Sequence, residues 1–220
     1  MDVKRLGIIG YQEALDLQRE LVERRRNDEI PDQLLLLEHP PVITLGVKAR
    51  SSRSHVLESE EGLAARGIGL FETGRGGDVT YHGPGQLVGY PIFNLKPDRC
   101  DVHRYVRDLE EALIRTVATF GIAGRRVEGL TGVWVGPDGD EEKLAAIGVR
   151  ISRWITSHGF AMNVNTRLDH FGLIVPCGIT DRGVTSMERL LGRTVSMDEV
   201  VTSVVAAFRD VFEPVRAAVQ

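Results

Sequence analysis

Six of the sixteen residues from Gly74 to Gly89 are glycine. This is the densest unusual segment of the chain, and it limits what the middle of the fold can be. Glycine there permits positive φ and lets backbone approach a ligand or another strand closely. The segment is not a P-loop, because no Gly-Lys-Ser/Thr follows at the required spacing. It is not a dinucleotide fingerprint, because Gly74-x-Gly76 is followed by Val79 where glycine is needed. A tight hairpin is the plain structural reading. Arg75, Tyr81 and His82 lie inside the segment, and polar side chains on a constrained loop favour a site.

The rest of the chain frames that segment as part of a globular protein. It has 220 residues, 42% hydrophobic and 26% charged, long enough to bury about 70% of its unfolded surface. Residues 1–220 are expected to form a single domain. Glycine makes up 24 residues, above the average of about 7%. The two cysteines exclude a disulfide scaffold and favour a reducing compartment, so a Cys100–Cys177 bridge is not expected. The net charge of −4 lacks the basic footprint of a nucleic-acid binder. No apolar run approaches the ~20 residues of a membrane span, and the N-terminus turns polar too soon for a signal peptide. The expected location is therefore cytoplasmic.

The element pattern predicts an α+β fold: one domain on a mixed, mostly antiparallel sheet with helices on its face. Strands are expected at Val3–Ile9, Gln33–Glu38, Val42–Leu45 and Gln86–Leu95, then at Arg126–Val135, Leu144–Ser152 and Trp154–Asn165. Gln33–Glu38 (QLLLLE) is a continuous apolar run of strand length, which suits burial on both faces. Helices are expected at Tyr11–Arg26, near Glu60–Arg66, and after Asp101, with Gly121 closing the last of these. Residues 172–180 read as a loop. Thr185-Ser-Met-Glu188 and Ser196-Met-Asp-Glu199 read as capping boxes that open two further helices.

Four side chains could carry chemistry. Cys177, between Pro176 and Gly178, sits on a constrained turn, whereas Cys100 reads as a small buried hydrophobe. Lys143 begins Lys-Leu-Ala-Ala-Ile-Gly-Val-Arg150, either as a strand-entry lysine or as the surface end of the acidic turn Asp140-Glu141-Glu142. His158 sits within a strand-like run, where most histidines are structural. A free thiol has a pKa near 8.5 and needs help to act as a thiolate. A nearby ammonium stabilises the thiolate, so Cys177 with Lys143 is one sensible dyad, and Cys177 with His82 or His158 is the rival. A zinc site from Cys177 and two histidines finds no ligand pair at metal spacing, and no metal is expected.

These residues together resemble a known family. Arg75-Gly-Gly-Asp-Val-Thr-Tyr-His-Gly-Pro-Gly-Gln-Leu-Val-Gly-Tyr-Pro91 is similar to the signature of the octanoyltransferases of lipoate biosynthesis. Lys143–Arg150, His158-Gly-Phe-Ala-Met-Asn163 and Pro176-Cys-Gly178 resemble the family's remaining motifs in order, and the likeness spans nearly the whole chain. It implies the catalytic module of biotin/lipoate protein ligases. It implies transfer of an octanoyl group from octanoyl-acyl carrier protein to a lysine of lipoyl domains, in 2-oxoacid dehydrogenase complexes and the glycine cleavage H protein. It implies no nucleic acid, membrane or cofactor. By motif match Cys177 is the acyl-thioester nucleophile and Lys143 lowers its pKa. The substrate pocket is implied to comprise Arg75, Gly76, Gly77, Asp78, Val79, Thr80, Tyr81, His82, Ala146, Ile147, Gly148, Gly159, Phe160 and Ala161, with His158 in support.

The chemistry is consistent with that resemblance. Thioester-to-thiol exchange is near-neutral, and amide formation by a lysine is downhill, so no ATP is needed. Small residues (Gly76, Gly77, Ala146, Gly148, Gly159) are expected to leave room for eight carbons, each CH₂ contributing about 0.8 kcal/mol on burial. Backbone N–H groups at Cys177 and Gly178 are expected to hold the oxyanion. Two rival readings remain. An ATP-dependent lipoate or biotin ligase would leave Cys177 idle, and a non-catalytic acyl-binding protein would not use the Cys–Lys pair. Acidic partner proteins are expected to dock on Arg24–Arg26 or Lys48–Arg53.

Overall fold

A computed structural model describes residues 1–49, 54–175 and 182–213. The chain opens with β1 (Asp2–Ile8), α1 (Tyr11–Arg26), β2 (Gln33–Glu38), β3 (Val42–Leu45), α2 (Glu60–Ala65) and β4 (Gly69–Glu72). It continues through β5 (Val79–His82), β6 (Gln86–Ile92), α3 (Val102–Ala118), β7 (Arg125–Val127) and β8 (Leu130–Val135). Strands β9 (Glu142–Ser152) and β10 (Ile155–Asn163) lead to a 3₁₀ turn (Leu168–Leu173), α4 (Met187–Leu191) and α5 (Met197–Phe212).

Seven strands form one sheet in the order β1-β2-β6-β10-β9-β8-β7. Only the β1/β2 pair is parallel; the others run antiparallel. β2 shows how the sheet is covered. Leu34 and Leu36 join the cluster under α3 and α5, while Leu35 and Leu37 join the one with Ala14 and Leu21 of α1. Alternate residues point to opposite faces, so an unbroken apolar run is what two covered faces require.

A second, three-stranded sheet (β4-β3-β5) holds the glycine-rich segment against the first. The sequence pattern predicts no strand at β4 or β5. β4 opens on Gly69 and β5 is framed by the turns of the glycine-rich segment, so neither stands out as an unbroken apolar run.

Three other expectations are corrected. The run Arg126–Val135 is a hairpin, because Gly129 turns the chain at φ +76° between β7 and β8. The N-cap of α4 is Ser186, which accepts from Arg189 N–H at 3.2 Å, so the cap lies one residue beyond Thr185. Cys100 is exposed, placed at the surface by the turn that precedes the Asp101 cap. The caps at Asp101 and Ser196 form as expected.

Candidate active site

The glycine-rich segment closes over the middle of β9 and β10. Backbone bonds stitch it down: Gly76 N–H to Val149 O (2.8 Å), Val47 N–H to Arg75 O (3.1 Å) and Lys48 N–H to Gly77 O (3.1 Å). Between the two sheets lies a narrow slot of about 50 Å³. It is lined by Arg75, Gly77, Val79, Thr80, His82, Ala146, Ile147, Gly148, His158, Gly159, Phe160 and Ala161, with Tyr11 and Tyr90. Thr80, Ala146 and Ala161 also line the adjoining cavity, where they meet Lys143, Gln86, Asn163, Phe171 and Val184. The fold thus brings most of the described motif residues together from three separate parts of the chain.

Three expected pocket residues take other places. Asp78 turns to His55, Oδ2 to Nδ1 at 2.5 Å. Tyr81 packs with His170 and Phe171 beneath the small sheet, its hydroxyl 2.9 Å from His170 Nδ1. Gly76 is engaged on Val149.

The glycines do not leave open volume. A Cβ on Gly159 would lie 2.2 Å from Gly89 O, and one on Gly148 would lie 3.0 Å from Gly76 O. Their missing side chains let backbone pack on backbone.

Lys143 is buried, at 9% exposure. Its backbone is held on both sides, N–H to Gly183 O at 2.9 Å and C=O from Thr185 N–H at 3.1 Å. Its Nζ lies 4.6 Å from the centre of the Trp134 ring. The acidic turn before it is anchored as well as solvated. Glu141 is buried at 4% exposure and pairs with Arg125 (3.0 Å) and Arg182. Cys177, with Pro176 and Gly178, lies outside the described residues. The described neighbours on either side are tied down, Val175 N–H to His55 O at 2.8 Å and Gly183 to Lys143.

The two rival histidines are buried and uncharged at neutral pH. Burial pushes His82 down to about 3, helped by His39 and the Arg75 guanidinium. Burial pushes His158 down to about 4, helped by Arg75, Arg150 and Arg19. Arg75 is itself buried and bonds Thr44 through O (2.6 Å) and Oγ1 (2.9 Å). His158 has φ +55°, and its backbone N–H is held by Gln18 Oε1 at 2.8 Å. It also borders a wider cleft of about 530 Å³ with Gln18, Arg19 and Arg150.

Sequence reasoning missed Tyr11, Gln86 and Asn163. Tyr11 gives no signal, being one aromatic at a helix start. Gln86 and Asn163 fall inside the motifs and were legible there. The Arg24–Arg26 run is no free basic patch, because Glu20, Glu23, Asp28, Glu29 and Asp32 pair with it. Of the second candidate patch, Lys48 is exposed, while Arg50 and Arg53 lie outside the described residues.

An α+β module with these motifs gathered on one slot has known counterparts. Residues 10–209 match the lipoyl protein ligase A/B catalytic domain, and the chain belongs to that family. An octanoyltransferase of Myxococcus xanthus is 53% identical over 97% of this chain, which spans 60% of that relative. An octanoyltransferase of Acidobacterium capsulatum is 54% identical over 96% of this chain and 90% of its own length. A lipoate-protein ligase A solved with ATP superposes with a TM-score of 0.73 at 19% identity, over 97% of this chain and 86% of that one. The chain is an enzyme of the acyltransferase class.

Proposed function

We propose that this enzyme carries an octanoyl group from the thioester of acyl carrier protein to a lysine of lipoyl domains. Those domains belong to 2-oxoacid dehydrogenase complexes and the glycine cleavage H protein, in the cytoplasm. The thiolate of Cys177 attacks the thioester carbonyl; the new S–C bond replaces the bond to the carrier, whose thiol leaves with a proton. The lysine amine then attacks the Cys177 thioester. A C–N bond forms, the C–S bond breaks, and the proton lost by the amine returns to the thiolate. Lys143 stabilises the thiolate and handles these protons. No nucleotide enters the balance.

The observation that carries this reading is the burial of Lys143 in a cavity that shares Thr80, Ala146 and Ala161 with the slot. A lysine is rarely buried without a task or a partner. The names of the close relatives support the acyl group chosen. The test is to incubate the protein with octanoyl-acyl carrier protein and weigh it intact. An octanoyl adduct is expected, lost in Cys177→Ala and discharged by an apo-lipoyl domain. Product formed from free octanoate and ATP by Cys177→Ser would overturn the reading in favour of a ligase.

A further inference from the structure

A chain of side-chain amides runs from the slot to the backbone of Lys143, and its polarity is fixed at both ends. Gln86 Nε2 faces Tyr81 O (3.2 Å) and Asn163 Oδ1 (2.9 Å). A carbonyl oxygen only accepts, so this end of Gln86 is the donor and its Oε1 is the acceptor. That Oε1 lies 2.7 Å from His82 Nδ1, so His82 carries its proton on Nδ1 and its lone pair on Nε2. At the other end Asn163 Nδ2 donates to Thr185 O at 2.9 Å. Thr185 N–H donates in turn to Lys143 O, and Lys143 N–H to Gly183 O. Gln86 and Asn163 are 2% and 5% exposed, and a buried network with every amide satisfied is rigid. The residues come from β6, β10 and the segment just before α4, so the chain ties three separate parts of the fold to the beginning of β9.

We propose that Asn163 is a positioning residue for Lys143, acting through Thr185, and that Gln86 extends the same hold to the tautomer of His82. One amide chain then sets both the ring in the slot and the lysine in the adjoining cavity. This inference rests on the catalytic reading of Lys143.

The variant that isolates it is Asn163→Asp. One carboxylate oxygen still accepts from Gln86, but the other meets the Thr185 carbonyl oxygen and cannot donate. A misplacement near 1 Å costs about 100-fold in rate. The expected result is kcat lowered about 10–100-fold with KM for octanoyl-acyl carrier protein unchanged. As pH falls, the new carboxyl protonates and regains a donor, so kcat relative to wild type at the same pH recovers. Asn163→Leu, similar in size, shows the loss without the recovery. The ¹⁵N NMR signals of His82 report the Nδ1–H tautomer in wild type and in Asn163→Asp.

Wild-type kcat in both variants, or equal loss with no recovery on acidification, overturns the proposal. An Nε2–H tautomer in the wild-type protein overturns the polarity of the network and needs no variant. Lys143→Ala, run alongside, separates the two readings. If that variant still forms the acyl adduct at the wild-type rate, the catalytic reading fails. If it is inactive while Asn163→Asp is normal, only the positioning claim fails.

Discussion

The two faces of the large sheet are built from the same strands by opposite means. Under α3 and α5 the face is dry and filled by side chains such as Leu34, Leu113, Met162, Val204 and Phe208, all nearly inaccessible. Toward the small sheet, the same strands β6, β9 and β10 present Ala146, Gly148, Gly159 and Ala161, and buried polar groups fill the gap: Arg75, His82, Gln86 and His158. On the first face stability comes from apolar area and close packing. On the second the backbones lie near each other, and Arg75, His82 and Gln86 find hydrogen-bond partners at hand. Packing there is a means of holding charged and hydrogen-bonding groups in fixed places. A substitution on the first face should thus be read in stability, and one on the second in activity.

Lys143→Ala is the sharpest way to test that division. Transfer should fall by about 10²–10⁴-fold, with thermal unfolding close to wild type, as measured by steady-state kinetics and a melting curve. A variant that melts early but keeps its rate would erase the contrast.

The mirror case is Phe208→Ala on the dry face. It should cost about 3–5 kcal/mol of stability while kcat/KM, measured well below the melting point, stays within twofold of wild type.

Acid tests the polar face directly. His82 and His158 are depressed in the fold to about 3 and 4, against about 6.5 in the unfolded chain. The unfolded state therefore binds more protons between those values, so the stabilising contribution is complete above pH ~6.5 and is lost progressively as pH falls through about 4 for His158 and about 3 for His82. Urea midpoints should drop across that window, and His82→Gln should flatten the drop. A slope unchanged in the variant would assign the acid sensitivity to other groups.

The smallest effect is expected at the surface. Arg24→Ala removes exposed pairs to Glu20 and Glu29 and should change stability by less than about 1 kcal/mol. Because neighbouring carboxylates offset this run, the variant should also leave KM for the protein substrates unchanged at low salt.

Much of the fold was legible because the elements are long and locally marked. α1 follows its apolar stripe, β2 its unbroken leucines, and α3 and α5 their Asp101 and Ser196 caps. β4 and β5 were not, because β4 opens on a glycine, β5 is embedded in the glycine-rich stretch, and their pairing with β3 is set by partners distant in sequence, whereas the equally short β3 is an unbroken apolar and β-branched run. The site divides in the same way. The motif residues could be named because their types and spacings are unusual, but the sorting among them needed the structure. Asp78 and Tyr81 sit in the same motif as His82, and only the pleat and the small sheet decide which of them faces the slot.

By itself the sequence determined the α+β class, the family and the motifs from which most of the slot is drawn, since each of these follows from local pattern or from long, specific motifs. The tertiary structure alone decided that Lys143 is buried, that His82 is neutral with its proton on Nδ1, and that the glycines serve close backbone contact. Burial, dielectric and hydrogen-bond polarity are properties of neighbours brought together from β5, β6, β9, β10 and the segment just before α4, and no stretch of the chain contains them on its own.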